Sequence, residues 1–187
     1  MVPELKLDAG AAVRFLFPNA PGRAITINNG MVMRAWYDIM STDLVRKEDD
    51  AGIRQSEAAI RALIANENAR GIPTSRIVLT GFSQGCAMVL HIGLRLPEKL
   101  AGIIGLSGYL PLLESCAKER LSANDKTPIF MAHGMYDPVV DLSRAEASHL
   151  HLQQLGYDVR WHIYPMPHSV CADEVMDISA YLREVIA

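Results

Sequence analysis

Residues 78–90 read VLTGFSQGCAMVL: an apolar β-rich run, a serine set between small residues, then a second apolar run. A plain surface turn would also carry Asn, Asp or Pro, and a core has no use for a hydroxyl at such a break. The pattern Gly81-Phe82-Ser83-Gln84-Gly85 is GxSxG. Small residues two before and two after the serine let a strand turn sharply into a helix, with the hydroxyl exposed on a strained elbow. The stretch therefore predicts a strand over Ile77–Thr80 and a helix over Gln84–Arg95, closed by Pro97. The amino end of that helix, with its partial positive charge, points at Ser83.

Outward from the elbow the same alternation recurs. Val13–Phe17, Gly102–Leu106, Ile129–Ala132 and Val159–Tyr164 are further candidate strands. Several are apolar at consecutive positions, as expected of strands covered on both faces. Between them lie helical patterns. Ile53, Ile60, Leu63 and Ile64 share a face that Gly71 ends, and Ser143 with Glu146 has the spacing of a capping box. Val175, Ile178, Leu182 and Val185 form a last stripe. Alternating strands and helices predict one α/β domain over residues 1–187, with a mostly parallel sheet of about five strands and helices on both faces. Ligands of such sheets bind beyond the carboxyl ends of the strands.

Two more reactive side chains fall in segments of that kind. Asp137 follows Ile129–Ala132 in the loop HGMYD, and His168 follows Val159–Tyr164 in PMPH. The chain order Ser, Asp, His is that of the α/β-hydrolase triad. A serine hydroxyl is a weak nucleophile and needs a base, which an imidazole supplies near neutral pH. The carboxylate fixes the imidazole tautomer and stabilises its charged form. The Gln84 N–H is the natural first donor to a tetrahedral oxyanion. Asp141 is the rival acid, placed further into the loop where it would begin a turn or help cap the following helix. His133 ends a strand, where it could orient the loop, but it precedes the acid. His91 reads as a packed helix residue, His149 and His151 as solvated, and His162 as a sheet-face residue. Cys86, beside the elbow, reads as a small packed side chain.

Composition narrows the partners. Half of the 187 residues are apolar, 21% are charged and the net charge is −3 without a basic run. Nucleic acid and anionic membranes are therefore poor partners, and no apolar stretch is long enough to span a bilayer. The three cysteines, Cys86, Cys116 and Cys171, lack CxxC spacing. That disfavours a disulfide framework or a zinc site, and together with a start unlike a signal peptide it predicts a cytoplasmic protein with no metal and no cofactor.

From about Val13 onward, FPNAP…WYDI, GFSQG, LSGYLP, HGMYDPVV and MPHS together resemble the phospholipase/carboxylesterase family. The resemblance implies a serine carboxylesterase acting on short- to medium-chain acyl esters through an acyl-enzyme, with Ser83, Asp137 and His168 as its triad. It also implies that the loop from Pro18 to Asp38 lines the acyl site, with Met31, Met33 and Trp36 as candidates. One departure stands out. Members begin with a strand leading to a His-Gly-Leu-Gly turn that gives the second oxyanion donor, and no such turn occurs in this sequence. The expectation is an N-terminally truncated α/β-hydrolase fold, with a numbering that starts at an internal methionine as the other reading. Losing one oxyanion donor costs about 10²–10³ in rate. The missing strand is central, so either Val13–Phe17 pairs directly with Ile77–Thr80 or a second copy covers the edge, giving a homodimer. The alternative to a small-molecule esterase is a silent hydrolase fold kept as an assembly or binding module.

Overall fold

The computed structural model describes residues 2–7, 12–41 and 48–186. It divides into two compact units, Arg14–Gly71 and the remainder, Met1–Val13 with Ile72–Ala187.

In the smaller unit, β1 (Gly22–Ile25) and β2 (Met31–Arg34) pair antiparallel as a hairpin. Asn29 and Gly30 turn the chain with φ of 53° and 76°, a left-handed geometry that asparagine and glycine tolerate best. Helix α1 (Asp50–Ala69) is capped by Asp49, whose carboxylate accepts the Gly52 N–H at 2.9 Å. It buries Ile53 and Ile64 and is stopped at Gly71, where φ is +91°.

Four parallel strands organise the larger unit: β3 (Val78–Phe82), β4 (Gly102–Leu106), β5 (Ile129–Gly134) and β6 (Val159–Tyr164), in that spatial order. Helices α2 (Gln84–Arg95), α3 (Leu113–Glu119), α4 (Leu142–Gln154) and α5 (Ala172–Val185) connect or follow them. Side chains of β4 alternate in allegiance. Ile103 and Gly105 meet Gly93, Leu90 and Cys86 of α2, whereas Ile104 and Leu106 join Phe130, Ile178 and Tyr181 in the cluster under α5. That period of two places a helix on each face of the sheet. The Tyr181 hydroxyl crosses this core to donate to the Pro128 carbonyl at 2.6 Å. Every β4 residue is buried, as is nearly all of α2, which accounts for their unbroken apolar runs.

The α/β architecture is as expected, but among the described residues the parallel sheet has four strands and not about five. Val13–Phe17 is not a strand: Val13, Phe15, Leu16 and Phe17 are 37–71% exposed and enter no ladder. With no strand there, the pairing expected of it does not arise, and β3 is an edge of the described sheet. A β-prone run becomes a strand only where a neighbour supplies hydrogen bonds, so propensity alone misleads here. Helix α4 also departs from the capping box expected at Ser143 and Glu146. Asp141, not Ser143, is its N-cap, accepting the Ser143 N–H at 2.8 Å and the Ser143 hydroxyl at 2.5 Å. Among the described residues no helix is long and apolar enough to cross a membrane.

Candidate active site

Because all four strands are parallel and in register, their carboxyl ends share one rim, and the segments leaving β3, β5 and β6 carry Ser83, Asp137 and His168. Ser83 sits between β3 and α2 with φ 57° and ψ −118°. A non-glycine residue is held there only when its surroundings force it. Two restraints do so: the Ser83 N–H donates to the Leu106 carbonyl at 2.9 Å, and the Ser83 carbonyl accepts the Ala87 N–H at 3.2 Å. The hydroxyl makes no cap bond to the helix it precedes.

The two glycines of the elbow differ in what they do. A Cβ at Gly81 would lie 2.1 Å from the backbone carbon and oxygen of Gly85, whereas a Cβ at Gly85 would meet nothing within 4 Å. Gly81→Ala is therefore expected to destabilise the fold by about 1–3 kcal/mol or more through overpacking against backbone. Gly85→Ala leaves stability within about 0.5 kcal/mol, or raises it slightly, since alanine suits a helix. Urea denaturation of the two variants measures the difference; equal stabilities would contradict this account of the elbow.

Close backbone approach also joins the acid and base loops. The Met135 N–H donates to Tyr164 O at 2.8 Å and the Tyr136 N–H to Met166 O at 3.1 Å. A Cβ at Gly134 would lie 2.4 Å from the Pro167 carbonyl oxygen, so glycine is what lets these loops touch. The result is a bond of 2.7 Å between His168 Nδ1 and Asp137 Oδ2. The other oxygen, Oδ1, accepts the Val139 and Val140 N–H groups at 2.8 and 2.9 Å. Burial by itself would raise the Asp137 pKa. The His168 bond, the two amide donors and the charge on His168 more than offset it, so the carboxyl titrates below its ordinary range. With Nδ1 committed to Asp137, Nε2 is the imidazole nitrogen left for chemistry. The His168 ring packs on Phe82, centroids 4.7 Å apart, which puts the imidazole beside the residue that precedes the serine.

The other candidates separate cleanly. Asp141 caps α4, as described, and the Gln84 N–H opens α2 directly after Ser83. Cys86 is fully buried and burial pushes its thiol up, which fits a packed residue and not a nucleophile. His91 is buried in α2, and His162 stacks between Phe130 and Tyr164. His149, expected in solvent, stacks on Trp161 at 5.3 Å, and burial lowers its pKa. Met31 and Met33 stand exposed on β2 of the smaller unit. Trp36 follows β2 and lines a cavity of about 340 Å³ with Arg23, Arg34 and Gln55.

Comparison with known proteins shows the family and the fold. Acyl-protein thioesterase 1 of Neurospora crassa is 46% identical over 180 residues, covering 92% of this chain and 74% of that protein. The Gibberella zeae protein of the same name is 43% identical, with 92% and 77% covered. Among solved structures, Arabidopsis thaliana SOBER1 superposes with a TM-score of 0.92 at 28% identity, over 99% of this chain and 90% of that one. Esterase PE8 superposes with a TM-score of 0.75 at 34% identity, over 90% and 76%. The model of the family described as Phospholipase/Carboxylesterase matches residues 8–186. A match across nearly the whole chain, on a fold that carries the GxSxG elbow at a parallel-sheet rim, places this protein in the phospholipase/carboxylesterase family.

Proposed function

We propose that this chain hydrolyses acyl esters or thioesters of short to medium acyl length through a Ser83 acyl-enzyme. The observation that carries the reading is the Asp137–His168 bond of 2.7 Å at the rim where the strained elbow presents Ser83. Asp137 holds the proton on Nδ1, so Nε2 is the base. Ser83 Oγ attacks the acyl carbon as its proton passes to His168 Nε2, and the carbonyl electron pair moves onto oxygen. The Gln84 N–H, one residue on and at the positive end of α2, stabilises that oxyanion. Collapse expels the alkoxide or thiolate, which takes the proton from His168. Water, deprotonated by the same imidazole, then attacks the acyl-serine and frees the acid. The relatives named acyl-protein thioesterase support the thioester side of this proposal, and esterase PE8 the oxygen-ester side.

A fluorophosphonate probe tests the reading without assuming a substrate. Stoichiometric labelling is expected, mapped by mass spectrometry to the peptide containing Ser83, together with hydrolysis of p-nitrophenyl butyrate and of a butyryl thioester. A folded protein that neither takes the probe nor cleaves either substrate would favour the silent binding module.

A further inference from the structure

His133 is the last-but-one residue of β5, fully buried, and unused by the mechanism above. Its Nε2 lies 2.9 Å from the Val140 carbonyl oxygen. A carbonyl can only accept, so Nε2 carries the proton. The same Nε2 lies 3.3 Å from Asp137 Oδ2, the oxygen that also receives His168 Nδ1. Val140 is thereby held from both ends of its peptide, its N–H on Asp137 Oδ1 and its carbonyl on His133. Val140 thus bridges the imidazole and the carboxylate by two hydrogen bonds, and the His133 ring lies directly beside Asp137. His133 Nδ1 is buried without a partner. A side chain selected only to fill space would avoid that cost; what the imidazole adds over an apolar ring is the Nε2–H.

We infer that His133 is a positioning residue for the acid: its Nε2–H, donated to Val140 O and lying 3.3 Å from Asp137 Oδ2, fixes the loop whose Val140 N–H holds Asp137 Oδ1, so that Oδ2 is kept facing His168 Nδ1. The inference rests on the triad reading for its effect on rate, but the hydrogen-bond geometry stands apart from it. Two variants separate positioning from packing. His133→Phe keeps a ring of similar volume and has no donor. His133→Gln places an amide N–H close to where Nε2 was. The readouts are kcat and KM for p-nitrophenyl butyrate, and the low-field proton resonance of His168 Nδ1–H, identified by its loss in His168→Ala.

Expected is a fall in kcat of about 10–100-fold for His133→Phe with KM changed less than about twofold, because a misdirected acid weakens the transition state and not substrate binding. The low-field proton should shift or broaden in the same variant, and His133→Gln should recover most of the lost kcat and the resonance. A His133→Phe protein with near-normal kcat and an unmoved resonance would overturn the inference, as would equal impairment of the Gln and Phe variants. If His133→Phe does not fold, His133→Asn replaces it. Asparagine puts its amide at the Nδ1 position, so impairment is expected and parity with His133→Gln overturns the proposal. Should the wild type prove inactive, the triad reading fails, and the resonance alone then supports the positioning role by moving or refutes it by staying.

Discussion

Ser83→Ala is expected to lower kcat for ester hydrolysis by about 10⁴–10⁶ while leaving the thermal midpoint within about 2 °C of the wild type. The loss is large because the acyl-enzyme cannot form: a methyl group offers no lone pair to the acyl carbon. Residual hydrolysis would come from substrate binding and the Gln84 N–H alone. His168→Ala should cost about as much, and the double variant hardly more than either single one, because nucleophile and base act in the same step. Stability behaves differently at this position. Alanine retains a Cβ and with it the strain of φ 57°, so nothing is relieved. Ser83→Gly removes the Cβ, and the relief, of order 1–3 kcal/mol, outweighs the added freedom of the unfolded chain, of order 0.5–1 kcal/mol. A glycine variant as inactive as alanine but about 1 kcal/mol more stable would show that the elbow stores strain for the sake of the hydroxyl. Undiminished turnover in Ser83→Ala would end the proposed mechanism outright.

The rim was legible because its signals are local. Gln84–Arg95, Gly102–Leu106 and Val159–Tyr164 have the bounds their patterns predict, β5 runs two residues further than expected, and β3 starts one residue later and ends two later. Buried parallel strands and a buried helix leave few polar interruptions, so Gly, Ser and Pro stand out as punctuation. Asp137 and His168 needed only the rule that loops after parallel strands face one another, and the 2.7 Å bond between them follows from it. Val13–Phe17 went the other way, since its β-rich character says nothing about whether a neighbouring edge exists. The β1–β2 hairpin carried a usable signal, Asn29-Gly30 between short apolar runs, in a stretch read only as a loop lining the acyl site. The reach of His133 to Asp137 lies beyond any spacing rule, because it depends on how the loop folds back after β5.

Glu174 shows the same limit and leads to the second large effect. It lies in the first turn of α5, three residues after the N-cap Cys171, is fully buried, and has neither carboxylate oxygen in a hydrogen bond. Burial pushes its pKa from 4.5 up to about 7, and the Cys171 backbone N–H, which favours the carboxylate, opposes this without outweighing it. The sign follows from proton counting. Between about pH 4.5 and 7 the folded state holds a proton that the unfolded state has released, so stability falls as pH rises through that window. Below it both states are protonated and no penalty applies; above it the penalty is complete, about 3 kcal/mol for a shift of this size. Asp137 works in the opposite sense and lower down: its depressed pKa contributes stability that is lost only as pH falls below the ordinary carboxylate range. The two windows do not overlap. Glu174→Gln, a neutral near-isostere, is therefore expected to match the wild type near pH 4.5 and to exceed it at pH 8 by about 3 kcal/mol, or roughly 6–12 °C in thermal midpoint. Calorimetry of both proteins across that range isolates the group, since every other titration is common to the pair. A stability difference that does not change with pH would mean that this carboxyl is already ionised and accommodated in the native protein at low pH.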